Sequence, residues 1–148
     1  MKNTLCRITG LLALAFLAIT QVARAQDALL VNIPFAFTAG KTTLPAGEYR
    51  IQKAADTSSA LLIQRADRSA AGLVMSMPVD TNTKQAEQSK AVFHKYGERY
   101  FLSQVWTAGH ARGRQLVESA KEKEQALVAH NQRPEEITVV ARLISPKP

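Results

Sequence analysis

The residues best suited to chemistry lie in the run Gly109-His110-Ala111-Arg112-Gly113-Arg114. Arg112 and Arg114 each carry a planar fork of N–H donors that matches a carboxylate or a phosphate, and glycine-rich backbone exposes further N–H groups. With His110 beside them, the chemistry this spacing suits is the holding of an anion. No GxxxxGK[ST] pattern accompanies the run, so it is not a nucleotide-phosphate loop. Its plainer reading is a solvated, basic turn between a strand and a helix. Tyr96, Glu98 and Arg99 form a second group, at the tip of a predicted hairpin, where an aromatic ring and two opposite charges suit contact with a partner.

Other constellations are weaker. The histidines, His94, His110 and His130, stand 16 and 20 residues apart. Zinc ligands cluster more closely, and neither HxH nor HExxH occurs, so neither a metal site nor a cofactor is expected. His94 reads as a half-buried strand residue beside Phe101, and His130 as a residue interacting with a helix C-terminus. No serine sits in a GxSxG elbow. Ser103 and His94 come together only if the hairpin register shifts. Glu118, Glu122, Glu124, Glu135 and Glu136 read as solvated charges. No catalytic residue is assigned. Tyr96, Tyr100, Phe101 and Trp106 could stack on a sugar, but in a chain with few aromatics they are better placed in a core.

The elements that must position these residues begin after a targeting segment. Lys2 and Arg7 precede an uncharged apolar run, residues 8–19 (ITGLLALAFLAI), and Ala23-Arg24-Ala25 is a small-x-small cleavage site. The run is too short for a membrane span, which takes about 20 residues. Cleavage after Ala25 predicts a signal peptide over residues 1–25 and one exported domain over residues 26–148. Of the 148 residues, 123 would remain, without Cys6 and so without any cysteine or disulfide. Lys2, Arg7 and Arg24 would leave while all 12 acidic residues stay, so the net charge falls from +7 to +4. That mild excess does not point to nucleic acid as a partner, and it suits loose attraction to anionic envelope surfaces as well.

Strand-like alternation dominates the rest. In residues 29–38, Val31, Ile33, Phe35 and Phe37 share one face, with Pro34 marking an edge or a bulge. Ala39-Gly40-Lys41 and Leu44-Pro45-Ala46-Gly47 are turns, and Tyr49 and Ile51 point inward after the second. Residues 60–65 and 73–79 are further strands, with Leu73, Met75, Met77 and Val79 on one face. Residues 81–89 are a polar loop. Residues 91–107 form a hairpin about Gly97-Glu98, a type II′ turn pairing Tyr96 with Arg99 and Phe93 with Leu102. That register puts Phe93, Tyr100, Leu102 and Trp106 on one face and Phe101 and Val105 on the other, so both faces need cover. Residues 118–130 predict a surface helix docking through Val117, Ala120, Leu127 and Val128, with Asn131 as its C-cap and Pro134 as a stop. Residues 136–144 are a closing strand.

The blocks Ile33-Pro34-Phe35-Ala36-Phe37, Gly40 and Leu44-Pro45-Ala46-Gly47-Glu48-Tyr49, followed by residues 93–102 (FHKYGERYFL), resemble a family of small exported bacterial β proteins. The likeness covers most of the chain after the signal segment. It implies a shared β fold and export. It implies no activity, and no site residue carries over from it.

The expected fold is all-β and mainly antiparallel: a small barrel or sandwich of about six to eight strands, with one C-terminal helix before the last strand. The expected function is that of a non-enzymatic envelope or secreted module, periplasmic or extracellular, which binds a small ligand, an anion or a protein partner. Arg112, Arg114 and His110 are its candidate ligand residues, and Tyr96, Glu98 and Arg99 its candidate partner residues. The alternative is a small secreted hydrolase whose catalytic set is dispersed in sequence.

Overall fold

A computed structural model describes residues 27–80, 86–130 and 132–144. The predicted signal segment, residues 81–85 of the predicted loop and Asn131 lie outside the described residues. The strands are β1 (Ala28–Ile33), β2 (Phe37–Ala39), β3 (Thr42–Leu44), β4 (Gly47–Lys53), β5 (Ala60–Arg65), β6 (Ala71–Asp80), β7 (Lys90–Tyr96), β8 (Arg99–Trp106), β9 (Arg112–Leu116) and β10 (Glu135–Ile144). One helix, α1 (Ala120–Val128), precedes the last strand.

Eight strands close a barrel in the order β8-β7-β10-β1-β4-β5-β6-β9, and β9 pairs back onto β8 at Gln104 and Val105. All pairings in this ring are antiparallel. Closure satisfies the backbone groups that an open sheet would leave along its edges. β9 meets β6 only from Ser76 onward, so it leaves a gap between the first halves of β6 and β8. The β2–β3 hairpin sits in that gap. β2 runs parallel to β8 at Thr38–Phe101, and Gly72 of β6 faces Leu44 and Thr42 of β3.

Side-chain alternation then fills one end of the barrel. Ile33, Phe37, Leu44, Tyr49, Ile63 and Phe93 are fully buried there. Phe37 meets Tyr49 and Phe93 edge-on at 5.2 and 5.5 Å between ring centroids, and Phe35 stacks on Tyr100 at 3.9 Å. The Leu-Pro-Ala-Gly-Glu-Tyr spacing has a local reason: the Tyr49 hydroxyl turns back and donates to the Pro45 carbonyl at 2.7 Å. Burial pushes the Tyr49 hydroxyl pKa up, with the Arg65 charge opposing in part. The first strand stops at Ile33, where Pro34 removes a ladder donor, and resumes as β2.

The hairpin follows its predicted register from Tyr96–Arg99 to Phe93–Leu102. Gly97 has φ +60°, and positive φ among the described non-glycine residues falls elsewhere, at Arg68 and His130, which is the type II′ pattern. Beyond Leu102 the register shifts, and Val92 pairs with Gln104, so Ser103 is the extra residue of a bulge. The bulge exchanges the expected faces of the next two residues. Val105 packs in the core and Trp106 does not. Trp106 lies over Gly113 on the outer side, where a Cβ on residue 113 would stand 2.5 Å from the indole ring. Gly113→Ala is therefore expected to cost about 1–3 kcal/mol, measured by urea unfolding, because the ring must move to admit a methyl group.

Two further expectations are corrected. Arg112–Leu116, read as part of a turn and connection, is a strand that completes the barrel wall. The helix does not dock through Val117, Leu127 and Val128, which are 48%, 68% and 68% exposed. Its only buried residue is Glu122, which the sequence placed in solvent.

A candidate ligand site at the barrel mouth

Among the described residues, the end of the barrel opposite the aromatic cluster holds a cavity open to solvent. Strand alternation brings Leu29, Ile51, Leu61 and Val105 from four different strands to the floor of a cavity of about 540 Å³. Lys53, Asp56, Thr107, His110, Arg112 and Arg114 stand among the residues around it. That volume is in the range of small-molecule sites, about 300–1,000 Å³. The three predicted ligand residues, Arg112, Arg114 and His110, thus converge on one cavity.

Their positions follow from β9. Arg114 pairs with Pro78 on one side and with Val105 on the other, so its side chain shares the inward face with Val105. Arg112 is one step further out, and its Nε donates to Asp80 Oδ1 at 3.0 Å. This pair is loose, with side chains 73% and 78% exposed, so it contributes little to stability. Arg114 is half-buried and has no ion pair among the described residues. His110 is exposed on the turn between β8 and β9. That turn is pinned by backbone bonds between Ala86 and His110 and between Gly109 and Ala86, at 3.0 and 2.9 Å. The buried Ser89 hydroxyl accepts from the Ala108 N–H at 3.0 Å. The His110 side of the rim is therefore held by backbone hydrogen bonds.

The predicted partner residues lie elsewhere. Tyr96, Glu98 and Arg99 are at the tip of the β7–β8 hairpin, about 20 Å along β8 from the mouth. Glu98 and Arg99 are exposed, whereas Tyr96 is half-buried and edge-on to Phe101 at 5.9 Å. Nothing in the fold joins these three to the cavity.

One constellation was not assigned from sequence. His94 Nδ1 lies 2.8 Å from Glu122 Oε1, and Ser103 Oγ lies 3.1 Å from His94 Nε2. Alternation from Phe101, the partner of His94, puts Ser103 on this face, and α1 brings Glu122. Ser119 caps the helix by accepting the Glu122 N–H at 3.1 Å, which fixes the first turn that carries the carboxylate. The hydrogen bond that His94 donates to the Glu122 carboxylate is the main cause that raises the His94 pKa above its ordinary value. Burial opposes it, and the charges of Glu122, Glu136 and Glu118 add to it. A serine, an imidazole and a carboxylate in sequence is the order of a nucleophile relay. Ser103 and Glu122 are only 5% and 4% exposed, however, and none of the three lines the cavity. The spacing of 28 residues between His94 and Glu122 left no local signal for this contact.

Among the described residues, no group of three or more His, Cys, Asp or Glu is placed to hold a metal ion, and no helix is long and apolar enough to cross a membrane. Comparison of the chain with protein-family models, curated proteins and solved structures finds no match.

Proposed function

We propose that this protein is an exported, non-enzymatic binding module whose barrel mouth takes a small amphiphilic anion, an apolar chain bearing one carboxylate or similar head group. The observation that carries this reading is Arg114, half-buried and without an ion pair among the described residues, lining one cavity with Leu29, Ile51, Leu61 and Val105. The floor supplies apolar burial, about 25 cal/mol per Å² removed from water. The guanidinium supplies a charge-assisted hydrogen bond to the head, and Lys53 adds positive charge to a lining that also carries the carboxylates of Asp27 and Asp56. Export rests on the basic, apolar and small-x-small segments of residues 1–25. The hydrolytic alternative would use Ser103 as nucleophile. Its near-complete burial, away from the cavity, sets that reading behind the binding one.

Calorimetric titration tests the proposal with three probes. Decanoate is expected to bind, and decanol to bind at least about tenfold more weakly, because a neutral head forfeits a charged hydrogen bond worth about 1.5–3 kcal/mol. Inorganic phosphate is expected to bind weakest, since it cannot use the floor. Equal affinities for decanoate and decanol would remove Arg114 from the account.

A further inference from the structure

Helix α1 is tied to the barrel by a charge and not by an apolar face. The chain must pass from β9 to β10 across β8 and β7, and α1 lies in that crossing. Its large apolar side chains, Leu127 and Val128, face solvent, and its one buried side chain is Glu122, held by His94 of β7. Yet the outer face of β7 and β8 holds apolar residues that are covered. Val92 and Phe101 alternate with the core residues Phe93 and Leu102, so they point away from the interior, and they are only 6% and 3% exposed. We propose that α1 is a pH-responsive latch over this outer strip, closed by the charged His94–Glu122 pair and loosened when His94 loses its proton.

The groups that face His94 make the pair responsive. Glu122 approaches from α1, Ser103 from β8, Glu136 from the paired position of β10, Glu118 from the segment before the helix, and Tyr96 from its own strand. The neighbouring cation Lys95 is engaged by Glu135 at 3.2 Å. One imidazole therefore answers three carboxylates. Protonated, it donates from Nδ1 to Glu122 and from Nε2 to Ser103. Neutral, it keeps one donor and no charge, and Glu118, Glu122 and Glu136 repel one another. The Tyr96 hydroxyl pKa is raised by burial and by Glu122 and Glu118, in keeping with a locally negative field.

The sign follows from linkage. The His94 pKa is raised above 6.5 in the closed state, so the stabilisation of that state is full below 6.5 and is lost as pH rises through the raised value. Release bares Val92, Phe101 and the Ser103 hydroxyl. This device does not depend on the ligand reading of the barrel mouth.

Hydrogen exchange of the purified protein, corrected for intrinsic rates, tests the latch. From about pH 5.5 to about pH 8.5, protection of the α1 amides should fall about tenfold for each unit by which the His94 pKa exceeds 6.5, while β1 and β4 amides keep theirs. The midpoint should coincide with the titration of the His94 imidazole followed by NMR. His94→Gln and Glu122→Gln, each checked for fold by circular dichroism, should abolish the step. A flat profile in the wild-type protein, a step that persists in His94→Gln, or a midpoint that departs from the His94 titration would overturn the proposal. The wild-type exchange and titration decide the matter even where a variant fails to fold.

Discussion

Arg114→Glu is expected to weaken decanoate binding at least about a hundredfold. The substitution removes a charge-assisted hydrogen bond worth about 1.5–3 kcal/mol, and about 1.4 kcal/mol corresponds to tenfold in affinity. It also sets a carboxylate against the ligand's own charge. Arg112→Glu should cost much less, about tenfold or below. Arg112 is 73% exposed and already shared with Asp80, so water and a competing carboxylate have taken most of its value. The contrast between the two arginines is the informative quantity. A nonspecific dependence on positive charge would make them equal, whereas a built site makes Arg114 dominant. Calorimetry gives both affinities, and thermal unfolding should show that neither variant has lost its fold.

Phe93→Ala is the change expected to cost the most stability, about 3–5 kcal/mol. Phe93 is fully buried where three elements meet, edge-on to Phe35 at 5.2 Å and to Phe37 at 5.5 Å. Its removal leaves a void that Ile33, Tyr49 and Phe37 cannot close without leaving their own contacts. Urea unfolding measures the loss. The mouth cavity is not lined by Phe93, so the folded fraction should retain its affinity for decanoate. A loss below about 1 kcal/mol would mean that this end of the barrel repacks freely, and that the aromatic cluster is not what plugs it.

Much of the wall was legible in the sequence because period-two alternation and turn chemistry are local signals. Gly97-Glu98 fixed a turn type and a register, and Leu44-Pro45-Ala46-Gly47 fixed the approach to Tyr49. Arg112, Arg114 and His110 could be picked out by type alone. Their convergence on a cavity could not, because the floor residues Leu29, Ile51, Leu61 and Val105 come from four strands joined only by closure of the ring.

The rest has physical reasons. Alternation gives faces but not which face is inside: Leu73, Met75 and Met77 share a face as expected, and only closure of the ring makes it the outer one, 62%, 57% and 53% exposed, with Val74 and Ser76 pointing inward. A single bulge residue, Ser103, reverses every face beyond it, so Val105 and Trp106 exchanged places. The glycines and charges of Arg112–Leu116 hid a strand, because Gly113 is present for the close approach of Trp106 and not for a turn. Glu122 looked like one more solvated carboxylate on a charged helix. Its partner His94 lies 28 residues earlier on a different element, and no local pattern carries that pairing.

The central claim is that the barrel mouth is a binding site for an amphiphilic anion, and the most direct test is a crystal structure of the protein grown with decanoate. The account predicts the carboxylate within hydrogen-bond reach of the Arg114 guanidinium and the chain directed onto Leu29, Ile51 and Leu61. Decanoate lying instead along the exposed Leu73, Met75 and Met77 face, with the mouth empty, would contradict it.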